Sequence, residues 1–103
     1  MITMNCITAS ELKARLDNND DLQLVDVRQD YEFDSFNIGG INIPLDDVLA
    51  SIDRIDKTKP IVFCCKSGKR SKAITLAVSK KLDLNNVYSL IGGLEAYQQV
   101  TEA

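Results

Sequence analysis

The sequence predicts an α/β domain with a central, mostly parallel five-stranded sheet and helices on both faces. Three observations point there. Strand-like and helix-like patterns alternate along the chain in the order βαβαβαβαβα. The connections between them are short, as in crossovers that return each strand parallel to the last. The run Ile61-Val62-Phe63-Cys64 is apolar at every position, which a strand covered on both faces requires.

Each element has its own signal. A brief strand is expected near Cys6–Ile7. Thr8-Ala9-Ser10-Glu11 has the form of a capping box, and Leu12 and Leu16 follow four apart, so a short helix is expected from about Ser10 to Leu16. Asn18-Asn19-Asp20-Asp21 is loop material, and Leu22–Val27 reads as a strand. Asp30 is expected to cap a short helical turn through Phe36. Asn37-Ile38-Gly39-Gly40 is a turn, and Ile41-Asn42-Ile43 a very short strand. Pro44 suits a first helical position, and Leu45, Val48, Leu49, Ile52 and Ile55 recur at helical spacing. Pro60 opens the strand Ile61–Cys64. Ala73, Ile74, Ala77, Val78 and Leu82 mark one side of the next helix. Asn86–Leu90 reads as the last strand, Gly92-Gly93 as a turn, and Leu94 to about Thr101 as the final helix.

Composition bounds the rest. A length of 103 residues suits one compact domain, and residues 1–103 are read as one. No apolar run approaches the ~20 residues of a membrane span. The start, Met1-Ile2-Thr3-Met4-Asn5-Cys6, has no signal-peptide pattern. Three cysteines are too few for a disulfide framework, which favours a reducing cytoplasm. Histidine is absent, which removes the Cys–His and Ser–His pairs and most zinc sites. No metal or cofactor is expected.

The net charge of −3 conceals a segregation. Residues 17–56 carry eleven Asp/Glu against two Arg, whereas residues 57–81 carry eight Lys/Arg and no acid. Two readings are open: the blocks interleave in the fold and cancel, or a positive region attracts a small anion. Nucleic acid is not an expected partner of so acidic a chain.

The chemistry concentrates in Cys65-Lys66-Ser67-Gly68-Lys69-Arg70-Ser71. These residues lie beyond the carboxyl end of a buried strand, where ligands sit in open α/β sheets. A thiol reacts as thiolate, and nearby positive charge or a helix N-terminus favours that form. Both are predicted here. Lys66, Lys69, Arg70 and Lys72 follow Cys65 within seven residues, and the next helix begins near Gly68–Ser71. Gly68 permits a tight loop. Ser67 and Ser71 can donate hydroxyl hydrogen bonds to an anion. Cys64 is expected to face away from the loop as an inert core residue. A disulfide between Cys64 and Cys65 would be strained.

These residues bear a family resemblance over nearly the whole chain. Leu24-Val25-Asp26-Val27-Arg28, Glu32-Phe33, Ile38 to Pro44, the Cys65–Ser71 loop and Gly92-Gly93-Leu94 with Tyr97 resemble, in that order, a single-domain rhodanese. The resemblance implies a three-layer rhodanese-like fold and a catalytic Cys65 that carries a persulfide. Asp26 and Arg28 then look like framework residues, with Arg28 pairing a carboxylate such as Glu32. Two departures are visible. Phe36-Asn37 stands where the family often has Gly-His, and the stretch from Gly40 to Pro44 is one residue shorter than the common form. A shorter version without histidine looks similar to the rhodanese domains attached to enzymes that activate sulfur-carrier proteins.

The expected activity is transfer of sulfane sulfur from an anionic, thiosulfate-like donor, with Lys66, Ser67, Gly68, Lys69, Arg70 and Ser71 forming the anion cradle. The acceptor would be a thiol, cyanide or a sulfur-carrier protein. Two alternatives stand beside it. One is a non-enzymatic persulfide carrier or interaction module. The other is a phosphatase or arsenate reductase of the same fold, which needs a roomier Cys-x₅-Arg loop. Here Arg70 follows Cys65 with four residues between them.

Overall fold

The computed structural model describes residues 5–101. Residues 1–4, which belong to the start read above as lacking a signal-peptide pattern, lie outside them. The elements run β1 (Asn5–Ile7), α1 (Ala9–Asp17), β2 (Gln23–Asp26), α2 (Asp30–Ser35), β3 (Ile41–Asn42), two 3₁₀ stretches (Leu45–Asp47 and Leu49–Arg54), β4 (Ile61–Cys64), α3 (Lys69–Leu82), β5 (Val87–Leu90) and α4 (Gly93–Thr101). The strands form one sheet in the order β1-β5-β4-β2-β3. Every pairing in it is parallel. The expected α/β architecture is therefore present, with β4 at its centre.

Alternation along β4 sorts the core into two faces. Ile61, Phe63 and Cys65 join Val25, Ile43 and Val78 on the face covered by α3 and the 3₁₀ stretches. Val62 and Cys64 join Leu12, Leu24 and Tyr97 on the face covered by α1 and α4. Cys64 and Cys65 thus lie on opposite sides of the sheet, and both are free thiols. Burial pushes the Cys64 thiol well above its ordinary range, and the Asp26 carboxylate adds to the effect. A thiol so held stays neutral, as a core residue should.

Local signals account for most boundaries. Thr8 caps α1: its hydroxyl accepts the Glu11 N–H at 3.1 Å while the Glu11 carboxylate accepts the Thr8 N–H at 3.0 Å. Gly40 has φ +79°, and a Cβ there would lie 2.3 Å from the Leu24 carbonyl oxygen, so the turn into β3 needs glycine.

Three expectations are corrected. Asp30 does not cap α2; it is the first helical residue, Gln29 holds the cap position, and the Glu32 carboxylate accepts the Gln29 N–H at 3.0 Å. The segment after Pro44 is not an α-helix but two 3₁₀ stretches, interrupted at Ser51 by φ −116°, ψ 24°. The steps from Leu45 to Val48 and from Leu49 to Ile52 to Ile55 are all of three residues, the 3₁₀ period. Arg28 does not pair Glu32. Its Nε and Nη2 donate to both oxygens of Asp26, at 3.0, 3.1 and 2.7 Å, and Nη2 also donates to the Phe36 carbonyl at 2.6 Å.

The Asp26–Arg28 pair is almost fully buried, with side chains 1% and 8% exposed. A buried guanidinium stripped of its partner is costly, so Asp26→Ala is expected to lower stability by roughly 3–5 kcal/mol. Urea unfolding of wild type and variant measures this; equal midpoints and slopes would contradict it.

Candidate active site

The segment 65–71 wraps around the sulfur of its own first residue. Cys65 Sγ accepts the Gly68 N–H at 3.1 Å and the Ser71 N–H at 3.4 Å. Gly68 is the residue before α3, in the left-handed region at φ 101° and with no side chain to cap the helix. The sulfur takes the place an N-cap oxygen normally fills, bonding the N–H of the third helical residue. The unsatisfied N–H groups of the helix start are thereby turned on a group that is favoured when anionic.

The carbonyls of the loop face the other way. Leu94 N–H donates to the Cys65 carbonyl at 2.8 Å, and Glu95 N–H donates to the Lys66 carbonyl at 3.1 Å. These are N–H groups from the first turn of α4, so one helix start holds the loop's carbonyls while the other serves the sulfur. Gly93 makes the approach possible: with φ +61°, a Cβ there would sit 2.4 Å from the Lys66 carbonyl oxygen and 2.5 Å from that of Cys65. The turn glycines Gly92-Gly93 thus serve the site as well as the chain reversal.

Hydroxyls complete the sulfur's surroundings. Ser71 Oγ lies 3.7 Å from Cys65 Sγ, 3.2 Å from the Gly68 carbonyl and 2.9 Å from Ser89 Oγ. Ser71 and Ser89 are both buried. Ser89 is absent from the sequence-based site. Its signal is faint: one small polar residue in the run Val87-Tyr88-Ser89-Leu90. Ser67 is exposed and makes no side-chain hydrogen bond to the sulfur.

Cations surround the loop unequally. Arg70 does not leave its fork open in the cradle: Nη1 and Nη2 donate to the two Glu32 oxygens at 2.9 and 3.2 Å. Those bonds, aided by the Gln29 N–H, hold the Glu32 carboxyl down at about 2. Lys59 pairs Asp21 and Asp56, so the acidic and basic blocks do meet in part. Lys66, Lys69 and Lys72 have no carboxylate partner among the described residues and are exposed. The acidic and basic blocks therefore interleave in part, at Lys59 and Arg70, while the three lysines stand without a carboxylate partner among the described residues.

Cys65 itself is 1% exposed. Clefts open on either side of its loop. One, of ≈ 390 Å³, is lined by Ser67, Gly68, Lys69, Lys72, Ser89 and Cys6. The other, of ≈ 410 Å³, includes Lys66, Arg28, Glu32, Tyr31, Phe36 and Leu94. Among the described residues no group of three or more Cys, Asp or Glu side chains is arranged to hold a metal ion.

The chain falls in the class of parallel α/β domains with a strand-end cysteine cradled by backbone N–H groups. Within it, the sequence model of the rhodanese-like domain matches residues 8–100, and the chain belongs to that family. It is 31% identical over 99 residues to YtwF, a candidate sulfurtransferase of Bacillus subtilis, covering 93% of this chain and 92% of that one. It is 27% identical over 97 residues to YrkF, a candidate sulfur carrier protein of the same organism, covering 93% of this chain and 52% of that one. The chain thus spans nearly all of the first relative and about half of the second. A solved rhodanese-like domain protein from Staphylococcus aureus superposes with a TM-score of 0.72 at 29% identity, over 91% of each chain. Among the described residues no helix is long and apolar enough to cross a membrane.

Two outcomes test this construction. Gly93→Ala is expected to lose at least about 2 kcal/mol, because the added methyl meets backbone and the positive φ is strained. Chemical unfolding reads it, and an alanine variant as stable as wild type would contradict the close packing of loop and helix. For Glu32 the folded-state value is depressed from 4.5 to about 2, so its contribution is present above 4.5 and fades as pH falls towards 2. Glu32→Gln is expected to lower stability at neutral pH and to flatten the loss of stability over that acid window. Unfolding curves at pH 2.5 and 6 that differ equally in both proteins would contradict it.

Proposed function

We propose that the chain is a sulfurtransferase that moves sulfane sulfur from an anionic, thiosulfate-type donor to a thiophilic acceptor through a persulfide on Cys65. The observation that carries this reading is the pair of N–H groups, from Gly68 and Ser71, converging on Cys65 Sγ at 3.1 and 3.4 Å. In the first step the Cys65 thiolate attacks the outer sulfur of thiosulfate. A Cys65 S–S bond forms, the donor's S–S bond breaks, and sulfite leaves with the bonding electron pair. The terminal sulfur of the persulfide is anionic, and the loop N–H groups and Ser71 stabilise it as an oxyanion hole stabilises oxygen. In the second step a nucleophile such as cyanide, a thiolate or a sulfur-carrier protein attacks that terminal sulfur and releases the Cys65 thiolate. The reaction needs no general base, in keeping with a chain that has no histidine.

The lysine rim supports an anionic donor. Lys66, Lys69 and Lys72 carry charge around the loop mouth without a carboxylate to neutralise it, so they raise the local concentration of a small anion. Two features support sulfur over phosphate: the loop is one residue shorter than Cys-x₅-Arg, and the Arg70 fork is engaged by Glu32. Gly68 forms the tight part of the cradle, and Ser67 lies exposed beside it. The match over 92% of YtwF supports reading residues 1–103 as one rhodanese-like domain. The likeness to YrkF supports a protein among the acceptors. A cytoplasmic setting would keep Cys65 reduced, and no cofactor enters the scheme.

Cys65→Ser is expected to lower thiosulfate:cyanide turnover roughly a thousandfold or more. After thiosulfate treatment, wild type should gain the mass of one sulfur atom on Cys65, and the variant none. A serine variant with full activity would refute the scheme. A wild type that takes up sulfur, holds it against cyanide and yields it only to a protein acceptor would replace the enzyme with a carrier.

A further inference from the structure

Among the described residues the Ser89 side chain has one hydrogen-bond partner, the Ser71 hydroxyl at 2.9 Å. It lies at the carboxyl-terminal half of β5, 3% exposed, and its register neighbours are Phe63 on β4 and Cys6 on β1. Buried hydroxyls are costly unless bonded, so this one is retained in an apolar strand with a single contact to justify it. That contact is one hydroxyl away from the Cys65 sulfur.

The proton count around Ser71 gives Ser89 its meaning. Ser71 carries one O–H hydrogen and has three neighbours that compete for it: the Gly68 carbonyl at 3.2 Å, Ser89 Oγ at 2.9 Å and Cys65 Sγ at 3.7 Å. While Cys65 is a thiol, its S–H can donate to Ser71 Oγ, and Ser71 is free to donate to Gly68 or Ser89. When Cys65 becomes an anion, the sulfur can only accept, and the Ser71 hydrogen is needed there. The Ser89 O–H then turns to donate to Ser71 Oγ, which fills an acceptor site on that oxygen and polarises the Ser71 O–H towards the sulfur. Each serine holds one proton throughout; the thiol proton alone is lost, to solvent.

We propose that Ser89 is a positioning residue that acts through Ser71, holding the Ser71 hydroxyl on the Cys65 sulfur whenever that sulfur is anionic. The inference rests on Cys65 as the reactive group of the proposed sulfur transfer, but it is read on the thiol itself. The other charged groups around the Cys65 loop are Asp26 at the end of β2, Arg28 just beyond it, Glu32 from α2, Lys69, Arg70 and Lys72 from the first turn of α3, Lys66 from the loop itself, and Glu95 from α4. Cys64 adjoins it in the chain and stays neutral. A change at Ser89 alters none of these charges.

The experiment is the pH profile of Cys65 alkylation by iodoacetamide, with the modified cysteine located by fragment mass so that exposed Cys6 does not contribute. Ser89→Ala is expected to raise the midpoint by about one pH unit, which makes alkylation about tenfold slower at pH values below the midpoint. Ser89→Thr keeps the hydroxyl and is expected to return the wild-type midpoint. Ser71→Ala is expected to raise the midpoint as well, and adding Ser89→Ala to it should move it no further, since the two act in series. Circular dichroism confirms that each variant is folded. An unchanged midpoint in Ser89→Ala, a shift in the threonine variant equal to that in alanine, or full additivity with Ser71→Ala would each overturn the inference. The profile is independent of turnover, so a chain that fails to transfer sulfur but shows these shifts refutes the proposed activity and not the role of Ser89.

Discussion

The arrangement depends on one constraint: the peptide planes of Cys65 and Lys66 must turn their carbonyls away from the sulfur. A backbone segment cannot offer N–H groups to one side without presenting carbonyls to another, and buried carbonyls need donors. The first turn of α4 supplies them at 2.8 and 3.1 Å. Gly93 lets that turn come close enough, because any Cβ there would collide with both carbonyl oxygens. Sheet order makes the meeting possible. β5 lies beside β4, so the helix following β5 begins next to the loop following β4. Remove the contact and the loop has no reason to keep its N–H groups on the sulfur.

Electrostatics around this frame are arranged in two ranks. The inner rank is neutralised: Asp26 with Arg28 in the core, and Glu32 with Arg70 at the loop's edge. In both pairs the guanidinium meets both carboxylate oxygens of its partner. The Glu32–Arg70 pair ties α2 to the start of α3, and thereby sets one wall of the cleft beside Lys66. The outer rank is Lys66, Lys69 and Lys72, exposed and without a carboxylate partner among the described residues.

Much of this was legible in the chain. The capping box at Thr8 and Glu11, the doubly buried strand before Cys65 and the glycine in the loop are local signals, and local physics decides them. The separation of Cys64 from Cys65 also follows locally, because successive strand residues face opposite sides. Where local spacing misleads, the missing information is the neighbour. Arg28 and Glu32 are four residues apart and look like partners. Yet Arg28, just past β2, turns back to Asp26 at the end of that strand, and Glu32 finds Arg70, 38 positions away. The segment after Pro44 shows apolar spacing shared by α and 3₁₀ geometry, and its Val48 and Ile55 join Ile61, Phe63 and Val78 in one core cluster.

The sequence by itself determined the class of fold, the strand that carries Cys65, the length of the loop after it and the absence of histidine. These depend on residue type and short-range spacing alone. Only the tertiary structure decided which groups meet the sulfur and which charges stay free. Ser89, Gly93 and Glu32 reach the loop from three other elements, and sequence distance carries no record of which strands lie side by side. The loop's residues are its own, but their orientation is imposed by the neighbours that the order β1-β5-β4-β2-β3 brings to its edge.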